Sequence, residues 1–280
     1  MANYDLHTHS TASDGVFTPA QLLRHAHEAG VDVLALTDHD TLDGLQQARE
    51  AAAEYAVRLV PGVEISVTWE DTLFHIVGLG VDEHDNALLQ GLAALREQRD
   101  RRALVMAQQL ERIGIPDSLA GAKKYQSTRV LSRTHFAHYL AEIGAAGSID
   151  AAFNQYLKPG TPGYVATRWA SLAEAIDWIN GAGGVAVVAH PGRYRLGEPV
   201  LQRFLGDFVD CGGAAIEVVY PSLAPDNVAR FADYAGRYGL FASLGSDFHR
   251  PDTSRKLGQV GSLPDGTIPV WRGRGWNHLA

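Results

Sequence analysis

Two histidines two residues apart, His7 and His9, close a short segment that carries Tyr4 and Leu6, and Asp14 follows five residues after His9. In an extended backbone, residues i and i+2 project to the same side, so both imidazoles aim at one spot. A lone His-x-His is weak evidence for metal; its company is stronger. His39, Glu64, His75, His190, Asp247 and His249 occur later in similar settings, mostly just after β-branched runs. All nine residues are expected to converge on one metal cluster that carries the catalysis. Imidazole and carboxylate without thiolate suit Mn²⁺, Fe²⁺ or Zn²⁺. Nine ligands exceed the needs of one ion, so two or three divalent ions are expected.

Such a cluster acidifies a bound water and neutralises phosphoryl oxygens. Hydrolysis of a phosphate ester is the reaction that most needs both. The chain has no Gly-x-x-x-x-Gly-Lys-Ser/Thr loop, which disfavours a nucleotide-driven motor or kinase. It has no Gly-x-Ser-x-Gly elbow either, and Gly245-Ser246-Asp247 reads as a tight turn presenting Asp247.

The elements that must position these residues follow from periodicity and punctuation. Tyr4–His7 reads as a first strand. Thr18 caps a helix opened by Pro19, with an apolar stripe of Leu22, Leu23, Ala26 and Ala29 and a stop at Gly30; its His25 and His27 are solvated or packed residues. Val31–Thr37 is a second strand ending in Asp38-His39-Asp40, and a helix runs from about Leu42 to Tyr55. Arg58–Val63 is a third strand, interrupted by Pro61, that delivers Glu64. Val63–Trp69 and Thr72–Leu79 form a hairpin about Glu70-Asp71, with His75 facing Ser66 and Glu64 on the diagonal, roughly 7–8 Å away.

From about Asp85 to Val165 the alternation of strands and helices stops. Leu88–Ile113 reads as a long helix, Gly114–Thr128 as loop-rich, Arg133–Ile143 and Ile149–Leu157 as helices, and Pro159–Gly163 as a turn cluster. The alternation then resumes. A helix capped by Ser171 with Glu174 at the box position precedes Val185–Ala189, which delivers His190. A helix around Val200–Asp210 precedes strand Ala214–Val219. A helix over Pro225–Tyr238 precedes Phe241–Leu244, which delivers Gly245 to His249. The tail from Gly258 has weak periodicity and no assigned function. The pattern implies an α/β fold with a mainly parallel sheet: residues 1–84 and 166–280 form the catalytic unit, and 85–165 form a helical insert.

Bulk properties narrow the partners. The 280 residues carry a net charge of −8, so a broad surface for duplex DNA is not expected. Cys211 stands alone, which allows no internal disulfide and suits the cytoplasm. With Asp5, His7 and His9 interrupting the chain's first residues, no secretory segment is expected there, and no run approaches the ~20 apolar residues of a membrane span. Nothing in the sequence specifies an oligomeric state.

Asp5-Leu6-His7-Thr8-His9-Ser10, Thr37-Asp38-His39-Asp40, His190-Pro191-Gly192 and Gly245-Ser246-Asp247-Phe248-His249, in that order, resemble the four motifs of the PHP (polymerase and histidinol phosphatase) family. The resemblance implies a distorted (β/α)7 barrel with a trinuclear site, commonly of manganese, iron or zinc. Carried over by position, His7, His9, Glu64 and Asp247 would hold one ion. Glu64, His75 and His190 would hold a second, and Asp14, His39 and His249 a third. Arg133-Thr134-His135-Phe136-Ala137 and the stretch from Tyr156 to Val165 resemble the stand-alone TrpH-like phosphoesterases, in which Arg-Pro-His is the commoner form. That group implies removal of the 3′-phosphate from nucleoside 3′,5′-bisphosphates, with trimming of short RNA from the 5′ end in some members. Alternatives are a small phosphomonoesterase like histidinol phosphatase and a metal-stabilised binding module. The insert would cap the substrate, with Arg99, Arg102, Arg133, Thr134 and His135 binding the phosphate that is not cleaved. Arg99 and Arg102 share a helix face, and Arg133 and His135 open a helix whose N-terminus favours anions. Solvated helix charges are the alternative for Arg99 and Arg101.

Overall fold

The computed structural model describes residues 2–126, 130–251, 256–273 and 276. Among these, seven strands lie in sequence order in one sheet: β1 (Tyr4–Thr8), β2 (Val33–Leu36), β3 (Arg58–Trp69), β4 (Thr72–Leu79), β5 (Val185–Val188), β6 (Ala215–Val219) and β7 (Phe241–Leu244). All neighbouring pairs are parallel except those made by β4, which runs antiparallel to β3 and β5. The two edges meet just beyond β1 and β7. His9 N–H donates to the Phe248 carbonyl at 2.9 Å, and Asp247 N–H donates to the His7 carbonyl at 2.8 Å. The result is a nearly closed, distorted (β/α)7 barrel.

Side-chain alternation divides the core. Val33 and Ala35 point into the barrel with Leu6, Val60, Val77 and Val187. Leu34 and Leu36 point outward against α1 (Pro19–Glu28) and α2 (Leu45–Tyr55). α7 (Leu172–Gly181), α8 (Glu198–Asp210) and α9 (Pro225–Tyr238) cover the rest of the outer face with Ile176, Phe204 and Phe231. Tail residues Val270 and Trp276 are buried with this interior cluster, and Trp271 stacks on Tyr4 with ring centroids 4.0 Å apart. That packing role was invisible in the tail's weak periodicity.

The insert has its own apolar cluster, including Met106, Leu110, Phe136, Leu140 and Leu157. It comes from α3 (Asn86–Arg112), α4 (Ser118–Lys123), α5 (Arg133–Glu142) and α6 (Ile149–Ala152), which continues as a π-helical turn over Phe153–Leu157. α4 lies within the stretch expected to be loop; residues 127 and 128 of that stretch fall outside the described residues.

Two further expectations are corrected. Pro61 does not interrupt β3. It takes the last register position opposite Leu36 of β2, and its carbonyl accepts Gly80 N–H at 2.7 Å, so Glu64 lies within a 12-residue strand and not after its end. Ala29 is exposed, because it is the C-cap of α1, where Gly30 at φ +75° turns the chain away. The hairpin register has Ser66 opposite His75, as expected. Its turn residues Glu70 and Asp71 both have positive φ, 42° and 60°, the backbone of a two-residue hairpin loop whose twist suits the strands. Among the described residues, no helix is long and apolar enough to cross a membrane.

Candidate metal centre

The nine predicted residues meet at one end of the barrel. β1 extends both imidazoles of His7 and His9 inward, with their Nε2 atoms 3.1 Å apart. Both nitrogens lie near Glu64 Oε2, at 3.3 and 3.2 Å, and near Asp247 Oδ1, at 3.4 and 3.2 Å. The other oxygen of Glu64 lies 2.9 Å from His75 Nδ1 and 3.0 Å from His190 Nε2. His39 Nδ1 approaches Glu64 Oε2 at 3.0 Å. Asp14 Oδ1 lies 3.3 Å from His249 Nε2 and 3.9 Å from His39 Nε2.

These atoms form three overlapping sets, each within 4.8 Å: His7, His9, Glu64 and Asp247; His39, Glu64 and His75; and His9, Asp14, His39 and His249. His39 joins the second set, whereas His190 reaches it only through Glu64. Buried His9 Nδ1, Asp14 Oδ1, His39 Nδ1, Glu64 Oε2, His75 Nδ1 and His190 Nδ1 have no hydrogen-bond partner. Orphaned polar atoms are costly in a core, and so many in one place fit divalent cations. The chemistry of the donors agrees: six imidazoles and three carboxylates.

The electrostatics reflect this crowding. Burial disfavours charge on His9, but the close carboxylates of Asp247 and Glu64 overcome it and raise its pKa to about 9. Burial dominates at His39, which is lowered to about 4. Burial opposes ionisation of Glu64, yet His75, His39 and His7 hold its carboxyl well below the usual range.

Several residues that the sequence reading missed fix the ligands. Glu217, buried on β6, accepts from His7 Nδ1 at 2.7 Å and from the His190 N–H at 2.5 Å. The first contact leaves Nε2 of His7 for a cation, the arrangement that orients metal-binding imidazoles. The second holds His190 at φ 31°, a left-handed conformation shared with Asp40 and Asp247; such strain persists where surrounding bonds enforce it. A lone carboxylate in Ala-Ile-Glu-Val-Val was the available signal for Glu217. Asp38 accepts from Ser10 N–H, Ser10 Oγ and Ser13 Oγ, fixing the loop after β1. Arg193 pairs with Asp247. Gly245 has no room for a side chain, since a Cβ there would sit 2.3 Å from His7 Cβ.

A cavity of about 360 Å³ opens over the cluster, lined by metal-set residues and by Arg99, Arg102, Arg133 and Thr134. The buried Arg99 is no solvated charge: it pairs with Asp40 at 2.5 Å and donates to Ser66 Oγ at 2.8 Å. Arg102, also buried, has its guanidinium over Trp169, 4.7 Å from the ring centroid. Burial pushes Arg102 well below the ordinary arginine range, and Arg99 and Arg133 add to the shift. Arg101 is exposed beside Glu97. His135 lies apart from the other four. Its Nδ1 accepts the Ser132 N–H at 2.9 Å, and it borders a separate cleft with Asp14, Tyr125 and His138.

A profile of the PHP domain matches residues 5–184. The 3′,5′-nucleoside bisphosphate phosphatase of Chromobacterium violaceum is 46% identical over 97% of this chain and 96% of its own length. The 5′-3′ exoribonuclease Rnm of Escherichia coli is 42% identical over 96% of this chain and 92% of its own. A solved structure of an amidohydrolase from Chromobacterium violaceum, with bound sulfate and no metal, superposes with a TM-score of 0.93 at 45% identity, covering 97% of this chain and 95% of that one.

Proposed function

The chain belongs to the PHP-domain family, and on that premise we propose that it is a metal-dependent phosphoesterase that removes the 3′-phosphate of nucleoside 3′,5′-bisphosphates, leaving the 5′-monophosphate. The name carried by the phosphatase relative supports this substrate. Short 5′-phosphorylated RNA, degraded from its 5′ end, is a second substrate in this reading, supported by the exoribonuclease relative. The observation that carries the reading is one cavity shared by the ligand cluster and by Arg102 and Arg133. A substrate with two phosphates uses both ends of such a cavity; a simple monoester uses one.

His7, His9, Asp14, His39, Glu64, His75, His190, Asp247 and His249 would hold two or three divalent ions, Mn²⁺ first, with Fe²⁺ and Zn²⁺ as alternatives. Three ions use the three atom sets, and Glu64 serves two of them. When bound, the ions would supply an acidified water and positive charge opposite the phosphoryl oxygens. The protein does the rest. Arg102 and Arg133 bind the uncleaved phosphate by charge-assisted hydrogen bonds, and Trp169 fixes the planes of Arg99 and Arg102. Arg99 acts mainly through Asp40. Thr134, which lines the same cavity, joins Arg102 and Arg133 at that phosphate, and His135 supports the turn that carries Arg133 and Thr134. Transfer is a single in-line displacement with no phosphorylated residue. Residues 85–165 form the substrate cap, and 1–84 with 166–280 form the catalytic barrel. A cytoplasmic setting fits the lone Cys211.

The test is a panel of Mn²⁺-loaded assays with adenosine 3′,5′-bisphosphate, histidinol phosphate, an aryl phosphate and short 5′-phosphorylated RNA. The bisphosphate should give the highest kcat/KM, and chirally labelled phosphate should emerge inverted. A preference for histidinol phosphate would replace this reading with the small-phosphomonoesterase one. Loaded protein inert on the whole panel would leave a binding module.

A further inference from the structure

We infer that Ser132 and Thr134, at the start of α5, are positioning residues for Asp14, so that the insert completes an ion site whose other ligands come from the barrel. The inference rests on the metal-binding reading above. Asp14 sits on the loop after β1 and is 8% exposed. Its Oδ2 accepts hydrogen bonds from Thr134 Oγ1 at 2.9 Å and from Ser132 Oγ at 3.2 Å. Its Oδ1 is buried with no hydrogen-bond partner and faces His249 Nε2 and His39 Nε2. One oxygen is thus anchored by the insert while the other points into the set that also contains His9.

The choice of hydroxyls matters. A carboxylate paired with arginine or lysine would surrender much of its negative charge to that partner, whereas two neutral donors fix its rotation and leave the charge for a cation. Outer hydrogen bonds of this kind typically contribute 10- to 100-fold to metal affinity. Ser132 also caps the helix, accepting from Thr134 N–H at 3.1 Å, so the two hydroxyls and the backbone form one rigid turn. Arg133 lies between them in sequence and lines the substrate cavity. The same helical turn therefore touches the metal set on one side and the substrate cavity on the other. Thr134 supplies one of the two donors.

Metal-stripped protein would be titrated with Mn²⁺ by calorimetry, with the metal content after dialysis measured independently. Thr134→Val keeps the shape and removes the donor; the double variant with Ser132→Ala removes both. One Mn²⁺ per chain should bind about 10- to 100-fold more weakly in the double variant, with the remaining binding unchanged. Thr134→Ser should retain wild-type affinity. Isotherms identical to wild type, or equal weakening of every ion, would overturn the inference alone. Wild-type protein that takes up no Mn²⁺ would overturn the metal reading and this inference with it. Should the double variant not fold, the contrast between Thr134→Val and Thr134→Ser decides.

Discussion

Replacing Arg102 with Met should stabilise the protein and damage its catalysis. Arg102 is 8% exposed and stands near Arg99 and Arg133 in a crowded cationic pocket. Arg99 has Asp40 as a counter-ion; no carboxylate pairs with Arg102 among the described residues. Met is close in volume to the aliphatic part of Arg and can lie on Trp169. Exchanging buried ionic groups for well-packed apolar ones of similar volume is often neutral or stabilising by about 1–4 kcal/mol. At about 2–4 °C per kcal/mol for chains near this size, the unfolding midpoint of metal-free protein should rise by several degrees. The lost contact to a phosphate is a hydrogen bond from a charged donor, about 1.5–3 kcal/mol, which corresponds to roughly a 10- to 150-fold loss in kcat/KM for adenosine 3′,5′-bisphosphate. An aryl phosphate, with no second phosphate, should be affected little. The assays are thermal unfolding and steady-state kinetics on both substrates. A lower midpoint would refute the reading of Arg102 as an uncompensated buried charge, and equal losses on the two substrates would refute its assignment to the uncleaved phosphate.

Glu217→Gln should weaken Mn²⁺ binding about 10- to 100-fold, because the amide no longer holds His7 as a charged acceptor; a metal titration checks this. Gly245→Ala should cost about 3 kcal/mol or more, since the new methyl meets the backbone as well as Cβ of His7, and chemical denaturation would read the loss. His9 in the metal-free protein has a pKa raised to about 9. Its proton stabilises that form fully below the ordinary histidine value of 6.5, and the contribution is lost as pH rises through 9. Since a cation needs the free imidazole, Mn²⁺ uptake at pH 7 should release protons and weaken as pH falls; calorimetry in two buffers of different ionisation enthalpy would show it, and equal heats would contradict the titration of His9.

The ligand-bearing ends of β1, β2, β5 and β7 were legible because apolar runs stop at the residues that do chemistry. The hairpin register was legible because two polar turn residues between alternating strands leave little choice of pairing. Pro61 misled because local punctuation ignores what lies beside it: at the end of the β2 ladder a proline is tolerated. Glu217 was hidden because a carboxylate inside an apolar strand makes sense only once His7 and the His190 backbone are brought against it. The clustering of Arg99 and Arg102 was visible from helical spacing, but the counter-ion that separates their roles, Asp40, comes from a distant loop. His135 was placed with the phosphate site because it opens a helix, although its ring turns back to cap that helix.

The seam where β1 meets the segment after β7 makes the first and last thirds of the polypeptide co-owners of one centre. A ribosome that has released His7 and His9 has made only half of their set; Asp247 arrives some 240 residues later. Stable capture of a cation there is therefore a late event in biogenesis, and it reports that the circle has closed. A nascent chain stalled before Ser246 should hold no ion at that set, whereas one released after the tail has packed should hold it.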